Sequence, residues 1–153
     1  MYSKEQASQI KQAFWTSFGQ YMALETSAEG LKINWINYKT GVKHLHFKMQ
    51  ADQKMAKISI EMSSPDPDMQ ALLFEQFSSF QKILEAELNE AWDWELHGAD
   101  EYGKTISRIY TVLPGVNIFR KEDWPAMISF LKPRIIALDA FWTDAQHGFE
   151  AFK

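Results

Sequence analysis

The period of the hydrophobic positions changes several times along the chain, and each change predicts an element. Over residues 3–24, Ala7, Ile10, Phe14, Phe18, Tyr21 and Met22 recur at helical spacing and form one apolar stripe. Ser3, with Gln6 three positions on, fits a capping box at the start. Gly19 interrupts the stripe, which costs about 1 kcal/mol relative to Ala and allows close packing. ETSAEGL at 25–31 reads as a loop. INWINY at 33–38 predicts a first strand, followed by the turn KTG at 39–41. Residues 44–51 then alternate strictly, with Leu45, Phe47, Met49 and Ala51 opposed by His44, His46, Lys48 and Gln50. After a turn at Asp52-Gln53, residues 56–62 alternate again: Ala56, Ile58, Ile60 and Met62 against Lys57, Ser59 and Glu61. Alternation with one polar face predicts antiparallel strands covered on one side.

Asp66 and Pro67 form a helix start, an N-cap followed by a proline suited to the first helical position. That helix should run to about residue 89, with Met69, Leu73, Phe77, Phe80, Leu84 and Leu88 as its stripe. Residues 91–97 return to alternation, Trp92, Trp94 and Leu96 opposite Asp93, Glu95 and His97. Residues 105–113 are apolar on both faces, as a central strand requires, with Arg108 their one charge. Pro114 and Gly115 end that strand, and VNIF at 116–119 adds a short extended piece. From Trp124, the positions Ile128, Leu131, Ile135, Leu138, Trp142, Ala145, Phe149 and Phe152 follow at alternating spacings of four and three. Pro133 falls inside this run and predicts either one kinked helix or two helices meeting at 131–133. So long a 3.5 period suits packing on the chain's other helices, and it also suits a homo-oligomeric seam. The expected fold is therefore α+β: a largely antiparallel sheet of about five strands packed against long amphipathic helices. Its order is α-βββ-α-ββ-α(α), in a single domain over 1–153.

FWTSFGQYM at 14–22, NWINYKTG at 34–41, ISRIY at 106–110 and KEDWPAMISFLKPRIIALDAFW at 121–142 carry a further signal. Together they resemble the bacterial domain-of-unknown-function family 4268 over nearly the whole chain, as a stand-alone member. Some members of that family look like C-terminal appendages on larger proteins with predicted nuclease domains. The resemblance thus implies a nuclease-associated context, and it supplies no catalytic residue.

Composition narrows the function classes. The net charge of −4, from 16 basic and 20 acidic residues, argues against general electrostatic binding to nucleic acid. Charge is segregated, with seven acids and no Lys or Arg over 83–103, then six bases against two acids over 104–134. A chain without cysteine has no disulfide scaffold, thiolate metal site or thiol chemistry. The polar N-terminus lacks a signal-peptide core, and no run of about 18 apolar residues is present to span a membrane. A soluble cytoplasmic protein without a membrane partner is the expectation. Aromatic residues make up 14% of the chain, and most fall on the stripes and apolar strand faces above. Trp15, Trp35, Tyr38, Tyr102 and Trp124 are the ones those patterns do not use fully, so an aromatic recognition surface is expected among them.

Motifs that carry chemistry are few. Neither GxGxxG nor GxxxxGK[ST] nor HExxH occurs, and no GxSxG elbow presents a serine. His44-x-His46, joined by His97 and Glu61 on one sheet face, has the residue types for a transition metal. Exposed strand histidines are more often a solvated face, so no metal or cofactor is assigned. A helix, three strands, a helix and a strand is also the element order of the PD-(D/E)xK nuclease core. There the third strand needs acid-x-Lys to hold Mg²⁺ and stabilise charge; Glu61-Met62-Ser63 lacks the lysine. No catalytic residue is therefore assigned. Tyr38, His46, Lys48, Glu61, Glu95 and Arg108 are expected to cluster on a polar sheet face able to bind a ligand, with Lys57 beside them. NWINYK has the aromatic and basic interleaving of a single-strand stacking surface, and Arg120, Lys121, Lys132 and Arg134 bracket a helix start that would receive an anion. The sequence points to a non-enzymatic interaction or accessory domain, homo-oligomeric through its C-terminal helix. The alternative is a nucleic-acid-associated module or degenerate nuclease-like domain linked to restriction or repair.

Overall fold

The computed structural model describes residues 2–153. Helix α1 spans Lys4–Met22, with the capping box formed as the sequence predicts: Ser3 Oγ accepts from the Gln6 amide, and Gln6 Oε1 accepts from the Ser3 amide. Strands β1 (Leu45–Ala51) and β2 (Met55–Met62) form a hairpin. Asp52 Oδ1 closes its turn by accepting from the amides of Lys54 and Met55. Helices α2 (Pro67–Ser79) and α3 (Gln81–Leu88) follow, then the hairpin of β3 (Asp93–Ala99) and β4 (Thr105–Pro114). Helix α4 spans Trp124–Ala145, and a 3-10 segment, Gln146–Phe152, completes the chain. The four strands form one antiparallel sheet in the order β1-β2-β4-β3. The doubly apolar β4 is accordingly central.

The fold is α+β, with three corrections. INWINY is not a strand, so the sheet has four strands rather than about five, and the order is α-ββ-αα-ββ-α. Asn34 Oδ1 accepts from the amides of Ile36 and Asn37, and this local bonding diverts the backbone from a ladder. Without that strand the element order of the nuclease core is gone. The helix over 67–89 is two helices. At Phe80 (φ −104°, ψ 9°) the amide bonds to the Phe77 carbonyl in a tighter turn, and the hydroxyls of Ser78 and Ser79 donate back to the carbonyls of Phe74 and Gln76. VNIF, expected as a short extended piece, turns at Ile118 and Phe119. The amides of Gly115 and Ile118 bond to the carbonyls of Lys54 and Asp52, fastening the segment to the β1–β2 turn.

Pro133 lies within a continuous α4. Pro133 is exposed, and so is Ser129, whose carbonyl loses its ladder donor to the proline. Helix α4 is buried on several sides and serves as the spine of the helical layer. The 3.5-period stripe from Trp124 to Phe149 is buried in the chain's own core, and Phe152 is packed against it. The seam is thus filled from within the chain.

Helices α2 and α4 pack on one face of the sheet, the face of Phe47, Ile58, Ile60, Ile109 and Trp94, and α1 and α3 pack on α4. Trp142 of α4 meets Phe47 edge-on at 5.7 Å, and Phe74 of α2 meets Trp94 at 5.5 Å. Phe14 of α1 packs on Trp124 at 5.4 Å. The opposite face carries no helix.

Candidate functional site

The uncovered face takes its geometry from the ladder register. Cross-strand partners share a face. His46 pairs with Glu61, Glu61 with Arg108, and Arg108 with Glu95, so four of the six predicted residues form one row across all four strands. The next row is Lys48, Ser59, Tyr110 and Asp93, and the third holds Gln50, Lys57 and Val112. The predicted cluster therefore exists for His46, Lys48, Glu61, Glu95 and Arg108, with Lys57 two positions from Ser59.

Tyr38 does not belong to it. Its ring stacks on Phe47 at 5.1 Å, on the helical side of the sheet. The prediction failed with the strand it assumed.

Charges on the face are largely matched to one another. Arg108 Nε lies 2.6 Å from Glu95 Oε1, and Arg108 Nη2 donates to the Ala99 carbonyl at 2.9 Å. Glu61, only 6% exposed, accepts from Ser59 Oγ at 2.9 Å and faces Lys48 Nζ at 3.7 Å. Lys57 has no carboxylate within ion-pair distance among the described residues. Its ammonium sits over the Tyr110 ring at 5.0 Å from the centroid, with the Arg108 guanidinium at 5.5 Å from the same ring. Partial burial, and then Arg108, hold the Lys57 ammonium below the usual lysine range. Partial burial, and then Lys48, lower His46 likewise.

Strand β3 is bulged between Glu95 and Gly98. The bulge leaves His97 at φ 54° and carries its ring to the Pro67 carbonyl, 2.8 Å from Nε2. His97 is therefore taken out of the row of His46 and Glu61. Among the described residues no group of three or more His, Cys, Asp or Glu is placed to hold a metal ion. At one end the face opens into a groove of about 800 Å³ whose lining includes His46, Lys48, Glu61, Lys104 and Ile106.

A second site lies on the helical side, where the 25–40 loop crosses α4. Asp139 is 3% exposed, and its carboxylate accepts from the Tyr38 hydroxyl at 2.5 Å and from the Ala28 amide at 2.7 Å. Burial, and then the bond to Asp139, push the Tyr38 phenol well above its ordinary range. Trp142 Nε1 donates to the Thr40 carbonyl and pins the same loop to α4. The partly open cavity there is about 580 Å³. Sequence reasoning missed Asp139. Its one signal was an acid inside the apolar run IIALDAFW at 135–142.

The remaining aromatic candidates are mostly structural. Trp35 and Trp124 are buried, and Trp15 packs edge-on against Phe14 and Phe18; Tyr102 stands 83% exposed on the β3–β4 turn. The basic stretch is consumed in pairs. Lys132 meets Glu25 at 3.3 Å, Arg120 meets Glu122 at 3.5 Å, and Arg134 clamps Glu90 with Nε and Nη2 at 2.9 and 2.8 Å. Lys121 lies over the Trp124 ring. Among the described residues no helix is long and apolar enough to cross a membrane.

The model of one protein family, described as domain of unknown function DUF4268, matches residues 10–146. No curated protein and no solved structure matches the chain.

Proposed function

Because the chain belongs to the family of domains of unknown function DUF4268, whose description assigns no activity, we propose from its own geometry that it is a non-enzymatic interaction domain. Its uncovered sheet face docks another protein. The observation that carries this reading is the bare face itself: three rows of ordered polar side chains with no helix over them. The charge pattern selects the kind of partner. Lys48, Lys57 and Arg108 balance Asp93, Glu61 and Glu95, so the face has no net charge while His46 is neutral. Nucleic acid demands a basic footprint, whereas a protein surface of interspersed charges can be complementary to both signs.

Size sets the strength. Four strands at about 4.8 Å spacing and seven residues at about 3.4 Å cover about 15 by 23 Å. That is well below the roughly 800 Å² per partner of a stable complex, so the association is weak or transient.

A photo-cross-linking residue placed at His46 or Val112, both exposed on this face, tests the reading in the cells that make the protein. Discrete protein adducts are expected from these positions and not from Lys82 on the exposed side of α3. Equal yields from all three would refute it. The Lys57–Tyr110–Arg108 stack favours a second reading, a single-stranded nucleic acid base laid on Tyr110. A gel shift with a single-stranded oligonucleotide at low salt, abolished by Tyr110→Ala, would replace the protein-docking reading with that one.

A further inference from the structure

The cavity between the 25–40 loop and α4 contains a buried carboxylate, and Glu29 and Lys39 also line it. Asp139 is buried, yet among the described residues no Lys, Arg or His nitrogen lies within 4 Å of its carboxylate. Its two neighbours, the Tyr38 hydroxyl and the Ala28 amide, both donate to it. An isolated buried carboxylate is expensive, and two hydrogen bonds offset only part of that cost. A carboxylate has about four lone-pair sites, so acceptor capacity remains on the cavity side.

The surroundings fit a cation with an organic body. Tyr38 and Trp142 supply aromatic surface beside the carboxylate, and Thr143 and Asn37 supply polar groups. Gln146 donates its Nε2 to the Thr143 carbonyl, which leaves its Oε1 free to accept. A volume of about 580 Å³ falls within the roughly 300–1,000 Å³ typical of small-molecule sites. We propose that this cavity binds a small organic ammonium ion, whose N–H groups donate to Asp139 and whose apolar body lies against Tyr38 and Trp142. The site lies on the helical side of the sheet and is independent of the docking face.

Titration calorimetry of the full chain with three isosteric probes tests this. 2-Phenylethylamine carries the ammonium, 2-phenylethanol is neutral and 3-phenylpropionate is anionic. The amine is expected to bind saturably in the millimolar range or tighter and to change the tryptophan fluorescence, and the other two to bind at least about tenfold more weakly. Asp139→Asn should lose at least about tenfold of the amine affinity. Its amide oxygen can still accept from Ala28 while the Tyr38 hydroxyl rotates to accept from its nitrogen, so the variant keeps both bonds and folds. Should it not fold, Gln146→Ala is the second variant, expected to weaken the amine about threefold or more and leave the urea midpoint in place. No saturable amine binding up to about 10 mM, equal binding of the alcohol, or unchanged affinity in a folded Asp139→Asn would each overturn the proposal.

Discussion

Phe149→Ala tests how the helical layer is closed. Helix α4 ends at Ala145, and the following 3-10 segment folds Phe149 back to zero exposure. Its ring lies 4.7 Å from Phe77, 4.9 Å from Trp142 and 5.6 Å from Phe80. It therefore joins α2, α4 and the residue that separates α2 from α3. The backbone around it is seated closely: Gln76 Nε2 donates to the Gly148 carbonyl at 2.7 Å, and a Cβ on Gly148 would stand 2.7 Å from Phe80 Cζ. Removing a buried phenyl ring costs about 3–5 kcal/mol, from lost transfer energy and the void left among the other rings. At about 2–4 °C per kcal/mol for a chain of this size, a loss of about 4 kcal/mol lowers Tm by about 8–16 °C. Total stability of about 5–15 kcal/mol leaves the variant folded at room temperature. Urea denaturation followed by far-UV circular dichroism measures the change, and the slope of the transition should match that of the unaltered chain. Phe152→Ala is the comparator, because that ring is only partly buried, 6.1 Å from Phe149, and should cost less than half as much. A loss under about 1 kcal/mol for Phe149→Ala, or equal losses for the two, would refute the reasoning.

Pro133→Ala should raise stability by about 1–2 kcal/mol, since the restored amide can bond to the Ser129 carbonyl, and a lower urea midpoint would contradict the unbroken α4. At Glu90, burial alone would raise the carboxyl pKa, but hydrogen bonds from Arg134 and Trp92 outweigh it and hold the group below its ordinary 4.5. The stability it contributes is therefore present above that range and lost as pH falls below it. Glu90→Gln should cost about 1 kcal/mol at pH 7 and progressively less as the carboxyl is protonated at acid pH, and a cost unchanged with pH would exclude this ion pair as the cause. Gly98→Ala places a Cβ 2.3 Å from Glu95 Oε1. The half-exposed Glu95 must swing away from Arg108, so the variant should fold with a loss of about 1 kcal/mol or less and a weakened Arg108–Glu95 pair, read from the Arg108 Nε–H resonance by NMR.

The sequence foretold some features and concealed others, for identifiable reasons. Alternation in 44–51 and 56–62 placed His46, Lys48 and Glu61 on one face, because period 2 follows from the pleat wherever a strand forms. Arg108 and Glu95 followed by the same rule, and their alignment in one row needed only the register. What the pattern could not reveal was pairing at a distance. INWINY is rich in strand formers, but Asn34 folds its own side chain onto the backbone, and β-propensity gives way to such local bonds. His97 keeps the polar phase of its strand by count and loses it to a bulge that no spacing signals.

Asp139 shows the opposite failure. The 3.5-period stripe predicted for α4 does not include Asp139. The helix is in fact buried on several sides, so a polar group on any of those sides must find a partner within the fold. Asp139 finds its partners in Tyr38 and Ala28, which are 101 and 111 residues away along the chain. The same misjudged segment, 33–38, accounts for both errors. Read as a strand, it put Tyr38 on the polar sheet face; as a loop crossing α4, it brings Tyr38 to Asp139 and walls the cavity. The sheet's uncovered face could be composed from alternation within single strands. The helical cavity depends on a contact between the first and last thirds of the chain, and an acid within the apolar run 135–142 was the only local trace of it.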